Sequence, residues 1–198
     1  MKYIFDFDDV LFKNTDMLKP RIFHIISREA GVTEEKVKER YQKNRIEFSL
    51  VNFIKTFFTE PDMSKIDHIF KDIMSESHKF LNMELIEEIK KIDKNDLYIV
   101  TNGENDFNWS KLAYSGVMEY FLTEHIEVVP GSKRDAIHKI CDANPNEEII
   151  FIDDRDYFIE DLDSPKLKPL LYTKETRASV HKTLRELSKN RASELRMK

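Results

Sequence analysis

Asp6 and Asp8 stand one residue apart in the opening run Tyr3-Ile4-Phe5-Asp6-Phe7-Asp8-Asp9-Val10-Leu11. An apolar stretch climbs straight into acid. Two close carboxylates repel each other and resist burial, so the pair needs a compensating cation. Bound Mg²⁺ is the natural one. Three more segments carry chemistry: Thr101-Asn102 after Tyr98-Ile99-Val100, Lys133 in Pro130-Gly131-Ser132-Lys133-Arg134, and Asp153-Asp154 after Ile150-Phe151-Ile152. Acids, a hydroxyl and a cation are what phosphoryl transfer demands. A phosphate dianion is repelled by carboxylates unless a hard divalent cation bridges the two. In this reading Asp6 and Asp154 are the metal ligands, with Asp153 in reserve. An Asp6 oxygen attacks phosphorus to form an aspartyl phosphate. Asp8 protonates the leaving oxygen and later activates water. Thr101 Oγ, with Asn102 beside it, and Lys133 hold the remaining phosphoryl oxygens.

These residues need elements that bring them together. Five short apolar runs read as strands: residues 2–7, 97–101, 126–129, 148–152 and 169–172. Their hydrophobics are consecutive rather than alternating, as in parallel strands covered on both faces. Helical stretches separate them, notably residues 132–142 with Ser132 as N-cap. The pattern predicts an α/β fold with a doubly wound, Rossmann-like parallel sheet. Ligands of such sheets bind outside the carboxyl ends of the strands, where all four segments would meet.

One gap breaks the rhythm. Residues 14–95 are far more than one crossover helix requires. Apolar residues recur at helix spacing: Phe23, Ile26 and Ala30, closed by Gly31; Phe48, Val51, Ile54, Phe57 and Phe58, closed by Pro61; Ile66, Ile69, Phe70, Ile73 and Met74. Thr33 with Glu34 and Glu35 opens a further helix. Asn82 caps a crossover helix over residues 83–92. The expectation is a core domain of residues 1–13 and 82–198 with an inserted all-helical domain, residues 14–81. The Phe-rich stripes are read as core packing.

Composition narrows the class. The 198 residues carry a formal net charge of −5, which argues against a nucleic-acid partner. The one cysteine, Cys141, excludes a disulfide framework and a thiolate zinc site. No apolar run has the length to span a bilayer and no signal peptide is read, so a cytoplasmic protein without membrane contact is expected. With four glycines there is no glycine-rich phosphate loop. Phosphate must be held by side chains and helix N-termini. The six histidines show no ligand spacing, and Trp109 is read as packing.

The ordered set resembles the haloacid dehalogenase superfamily. Asp6-Phe7-Asp8-Asp9-Val10-Leu11, Tyr98-Ile99-Val100-Thr101-Asn102, Lys133 and Ile150-Phe151-Ile152-Asp153-Asp154 match its four motifs in order. The resemblance implies Mg²⁺-dependent hydrolysis of a small-molecule phosphate ester. It makes Asp6 the nucleophile and Asp8 the acid/base, with the Asp8 carbonyl a metal ligand. It makes residues 14–81 a type-one cap. Asp9 stands where many relatives have Gly and is read as a bystander at the turn. Phe158 stands where a further Asp or Asn is common, and Glu160 or Asp161 is the candidate to complete the metal shell. Arg134 could reach the phosphate, but Lys133 is favoured because it precedes the helix. The tail 177–198 is read as a basic terminal helix. Two other classes fit in part: a phospho-acceptor signalling domain, and a catalytically silent binding protein on the same fold.

Overall fold

The structure is a computed structural model; the residues described are 1–43, 48–60, 62–157, 162 and 164–196, with backbone only from 189 onward. Five parallel strands form one sheet in the order β3-β2-β1-β4-β5. They are β1 (Lys2–Phe5), β2 (Leu97–Asn102), β3 (Ile126–Val129), β4 (Ile149–Asp153) and β5 (Leu167–Leu171). The strands fall within two residues of their sequence-based bounds. β1 stops early because the Phe7 carbonyl is taken by a tight turn, accepting from both Leu11 N and Phe12 N.

Side chains alternate between two apolar layers. Tyr3, Phe5, Ile99 and Ile152 face the larger core, while Ile4, Val100 and Phe151 face the smaller one. Helix α7 (Arg134–Ala143) covers the smaller layer with Ala136, Ile137, Ile140 and Cys141, which places the cysteine as a buried hydrophobe. α5 (Met83–Ile89), α6 (Asn105–Ser115) and the last helix, α8 (Arg177–Arg196), cover the larger layer. Trp109 packs against it, half-buried. Burial on both faces is what permits continuous apolar strands.

Between β1 and α5 the described residues form a π-helical turn (Asn14–Leu18) and the helices α1 (Lys19–Ala30), α2 (Glu34–Lys43), α3 (Leu50–Lys55) and α4 (Met63–Met74). Gly31 closes α1 in the left-handed conformation, as its position implies. α4 buries Ile66, Ile69, Ile73 and Met74 as read from the sequence, whereas the faces of α1 and α3 differ in part. α1 buries Ile22, Ile25 and Ile26, while Phe23 joins an aromatic group with Tyr41, Phe48 and Phe53. α3 is short, and Phe53 rather than Phe57 is its buried ring. Arg21 ties α1 to α4 through the Asp72 and Ile73 carbonyls. Pro61, the expected stop of the third stripe, lies outside the described residues.

The chain leaves and re-enters the sheet region side by side. Lys13 N donates to Phe80 O and Asn82 N to Leu11 O, each at 2.8 Å. Asn82 does not cap α5 with its side chain. Its Nδ2 donates instead to Val10 O and Tyr172 Oη, because the returning strand needs anchoring where it meets the β1 turn. Likewise the N-cap position of α7 falls on Lys133, and Ser132 Oγ accepts only from Arg134 N.

Candidate active site

The sheet order reverses at β1, so the crevice at its carboxyl end is where ligands of such sheets bind. Phe5 pairs with Ile99 on one side and Ile152 on the other. Asp6 therefore emerges between Thr101 and Asp153, at the same edge as Asp8, Asn102, Lys133 and Asp154.

Lys133 is the hub. It is 1% exposed, and its Nζ lies 2.8 Å from Asp6 Oδ1 and 2.6 Å from Asp153 Oδ2. Burial opposes its charge, but the two carboxylates outweigh burial and raise its pKa. Burial also pushes the Asp6 pKa up, against the pull of Lys133. Asp153 is fully buried, and its second oxygen accepts from Arg155 N at 2.9 Å. Both Asp153 oxygens thus already serve the protein. Arg134, the alternative cation, is exposed.

Asp154 is different. Its Oδ1 is buried without a hydrogen-bond partner among the described residues, and Arg155 Nε stays 3.8 Å away. Burial, then the charge of Asp6, pushes its pKa up to about 7. Ligand atoms of Asp6, Asp153 and Asp154 lie within 4.8 Å of one another. An orphaned carboxylate oxygen among mutually repelling acids fits a hard divalent cation. Glu160 and Asp161, the candidates for an outer metal shell, and Phe158 lie outside the described residues.

Thr101 is 1% exposed, and its Oγ1 has no hydrogen-bond partner among the described residues. A buried hydroxyl without a partner is uncommon and marks a place for a ligand acceptor. Asn102 lines the adjoining cavity, and its carbonyl accepts from Asn108 Nδ2 at 3.3 Å. Gly103 makes this turn possible. Its φ is +142°, and a Cβ there would lie 2.3 Å from Asn108 Nδ2.

Asp9 has φ +61°, the left-handed region that glycine favours. Its carboxylate accepts from Thr15 N at 2.7 Å and Thr15 Oγ1 at 2.6 Å. Asp9 is therefore no bystander: it fastens the turn after β1 to the first turn of the helical segment.

Lys111 on α6 went unnoticed in the sequence. It is 2% exposed, and its Nζ donates to Asp8 Oδ2 at 2.5 Å. Burial raises the Asp8 pKa and Lys111 draws it back. The signal was present: Asn108, Lys111, Leu112 and Ser115 share the i, i+3, i+4, i+7 spacing of an inward face, and all four are buried. A cavity of about 1250 Å³ opens beside these groups. Asp8, Asn102, Lys111 and Arg155 line its sheet side, and Tyr41 and Phe48 its helical side. Among the described residues no helix is long and apolar enough to cross a membrane.

Comparison with known proteins bears on the family and the fold. The family model described as haloacid dehalogenase-like hydrolase matches residues 3–157. A structure provisionally assigned as a haloacid dehalogenase-like hydrolase, from Burkholderia xenovorans LB400, is 14% identical with a TM-score of 0.66, over 85% of this chain and 80% of that one. A provisionally assigned beta-phosphoglucomutase from Thermotoga maritima is 12% identical with a TM-score of 0.53, over 87% of each chain. A hydrolase from Streptococcus pneumoniae TIGR4 is 17% identical with a TM-score of 0.52, over 87% of this chain and 92% of that one. Among curated proteins none matches the chain.

Proposed function

The chain belongs to the haloacid dehalogenase-like hydrolases, and we propose that it is a Mg²⁺-dependent phosphatase that hydrolyses a small phosphomonoester through Asp6. The observation that carries this reading is the convergence on Asp6. Lys133 holds one of its oxygens, Asp154 offers an orphaned oxygen beside it, and the unpartnered Thr101 Oγ1 completes the edge.

In this mechanism Asp6 attacks phosphorus and Asp8 protonates the ester oxygen as it leaves. Asp8 then takes a proton from the water that hydrolyses the aspartyl phosphate. Thr101 Oγ, Lys133 and the Asn102 turn hold phosphoryl oxygens and offset transition-state charge. Asp153 keeps Lys133 in place. Asp6, Asp154 and the Asp8 carbonyl would hold Mg²⁺, which when bound supplies positive charge against the phosphate dianion. Residues 14–81 act as a cap domain over a core of residues 1–13 and 82–198. The cap excludes water and selects the leaving group through the cavity wall.

The test is phosphate release from 4-nitrophenyl phosphate, glucose 6-phosphate, glycerol phosphate and a nucleoside monophosphate, with Mg²⁺ and with EDTA. Chelator-sensitive release from at least one ester is expected. Asp6→Asn should abolish it while leaving the circular dichroism spectrum unchanged. Full activity in that variant refutes the covalent mechanism. A long-lived phospho-Asp6 without turnover would favour a phospho-acceptor role, and no release from any ester a silent binding protein.

A further inference from the structure

We infer that Lys111 is a positioning residue that fixes which oxygen of Asp8 moves protons; the inference rests on the phosphatase reading above. Asp8 Oδ2 is held by Lys111 Nζ at 2.5 Å. Asp8 Oδ1 is buried and has no hydrogen-bond partner among the described residues. One oxygen is anchored and the other is left to work.

The anchor is itself built in. The Lys111 ammonium lies 5.0 Å from the Phe107 ring centroid and 5.8 Å from that of Phe7. These rings face a cation that has almost no contact with water. Phe107 in turn meets Phe48 of the helical segment edge-on, with centroids 5.6 Å apart. The seat of Lys111 thus touches the segment that would cover the site. Stability alone does not call for a lysine here. An apolar side chain would suit the inward face of α6, and a buried ion pair rarely outperforms well-packed hydrophobes.

The proton movements balance as follows. The Asp6 oxygen–phosphorus bond forms as the phosphorus–ester oxygen bond breaks. The proton on Asp8 Oδ1 passes to that ester oxygen, giving the free alcohol and phospho-Asp6. Water oxygen then bonds to phosphorus as the Asp6 oxygen–phosphorus bond breaks. A water proton returns to Asp8 Oδ1, giving inorganic phosphate and the Asp6 carboxylate. Oδ2 stays with Lys111 throughout.

The experiment compares kcat/KM for two esters in Mg²⁺: 4-nitrophenyl phosphate and the fastest alkyl phosphate of the panel. A nitrophenolate leaves without much help from an acid, whereas an alkoxide must be protonated as it departs. Lys111→Met should lower kcat/KM for the alkyl ester by about 100-fold, and that for the aryl ester by at least about tenfold less. Lys111→Gln keeps a neutral donor to Oδ2 and should fall between wild type and Lys111→Met. It reads the same ratio if the apolar variant does not fold. Equal losses on both esters in a folded variant mean a merely structural lysine and overturn the inference, with the phosphatase reading intact. Wild-type protein inactive on both esters overturns the phosphatase reading instead.

Discussion

Asp154→Asn is expected to stabilise the metal-free protein while removing its Mg²⁺-dependent activity. The carboxyl moves from 3.8 to about 7 on folding because burial and Asp6 disfavour its anion. At about 1.4 kcal/mol per pKa unit, that penalises the folded anion at pH 8 by about 4 kcal/mol. Asp154 keeps 22% of its side chain exposed, so solvent screening leaves roughly half, about 2 kcal/mol. The sign follows from proton binding. The folded state holds the Asp154 proton more tightly, so this group's contribution is fully present below about pH 4 and is lost as pH rises through about 7. The asparagine variant never makes the anion. Its melting temperature in EDTA should exceed wild type by about 4–8 °C at pH 8, and by clearly less at pH 5. Adding Mg²⁺ at pH 8 should raise the wild-type melting temperature and leave the variant unmoved. A variant that melts below wild type in EDTA at pH 8, or whose advantage is the same at both pH values, refutes the electrostatic reasoning.

Two further substitutions separate chemistry from folding. Thr101→Val removes a hydroxyl with no hydrogen-bond partner among the described residues, so stability should change by less than about 1 kcal/mol, while kcat/KM on the best ester falls by about 100-fold; a large loss of stability with intact kinetics would contradict this. Gly103→Ala forces a Cβ against Asn108 Nδ2 at an unfavourable φ and should cost about 1–3 kcal/mol in urea unfolding; a neutral result would mean the turn relaxes easily.

What the sequence made legible follows from burial. Strands covered on both faces must be continuously apolar, so their positions and the polar residues at their ends could be read directly. Lys133 over Arg134 was legible because the residue ahead of a helix can turn into the crevice, while the next one is committed to the helix surface. The helical segment was legible as helix, and in α4 the read face of Ile66, Ile69, Ile73 and Met74 is the buried one, but the faces of α1 and α3 were legible only in part. With large apolar residues at neighbouring positions, Ile22 beside Phe23 in α1 and Phe53 with Phe57 in and just after α3, periodicity alone does not choose which one is buried. Lys111 was hidden for a different reason. A lysine on a helix is presumed solvated, and only the partner 103 residues away in sequence makes its burial sensible. Asp9 was read as a bystander at the turn, and its bonds to Thr15 depend on a left-handed backbone that composition does not reveal.

The charge balance at the sheet edge explains why the two acids of Asp153-Asp154 have different tasks. Asp6, Asp8, Asp9, Asp153 and Asp154 crowd one crevice with Lys111, Lys133 and Arg155. Lys133 serves Asp6 and Asp153 together, and Lys111 serves Asp8. Asp9 is held by Thr15 rather than by a cation. Arg155 gives its backbone N–H to Asp153 but keeps its side chain 3.8 Å from Asp154. Asp154 is thus an acid without a close cation: burial, then the charge of Asp6, raises its pKa to about 7, and its Oδ1 has no hydrogen-bond partner among the described residues. A cation that entered beside Asp154 would offset its anion without disturbing the Lys133 bridge between Asp6 and Asp153.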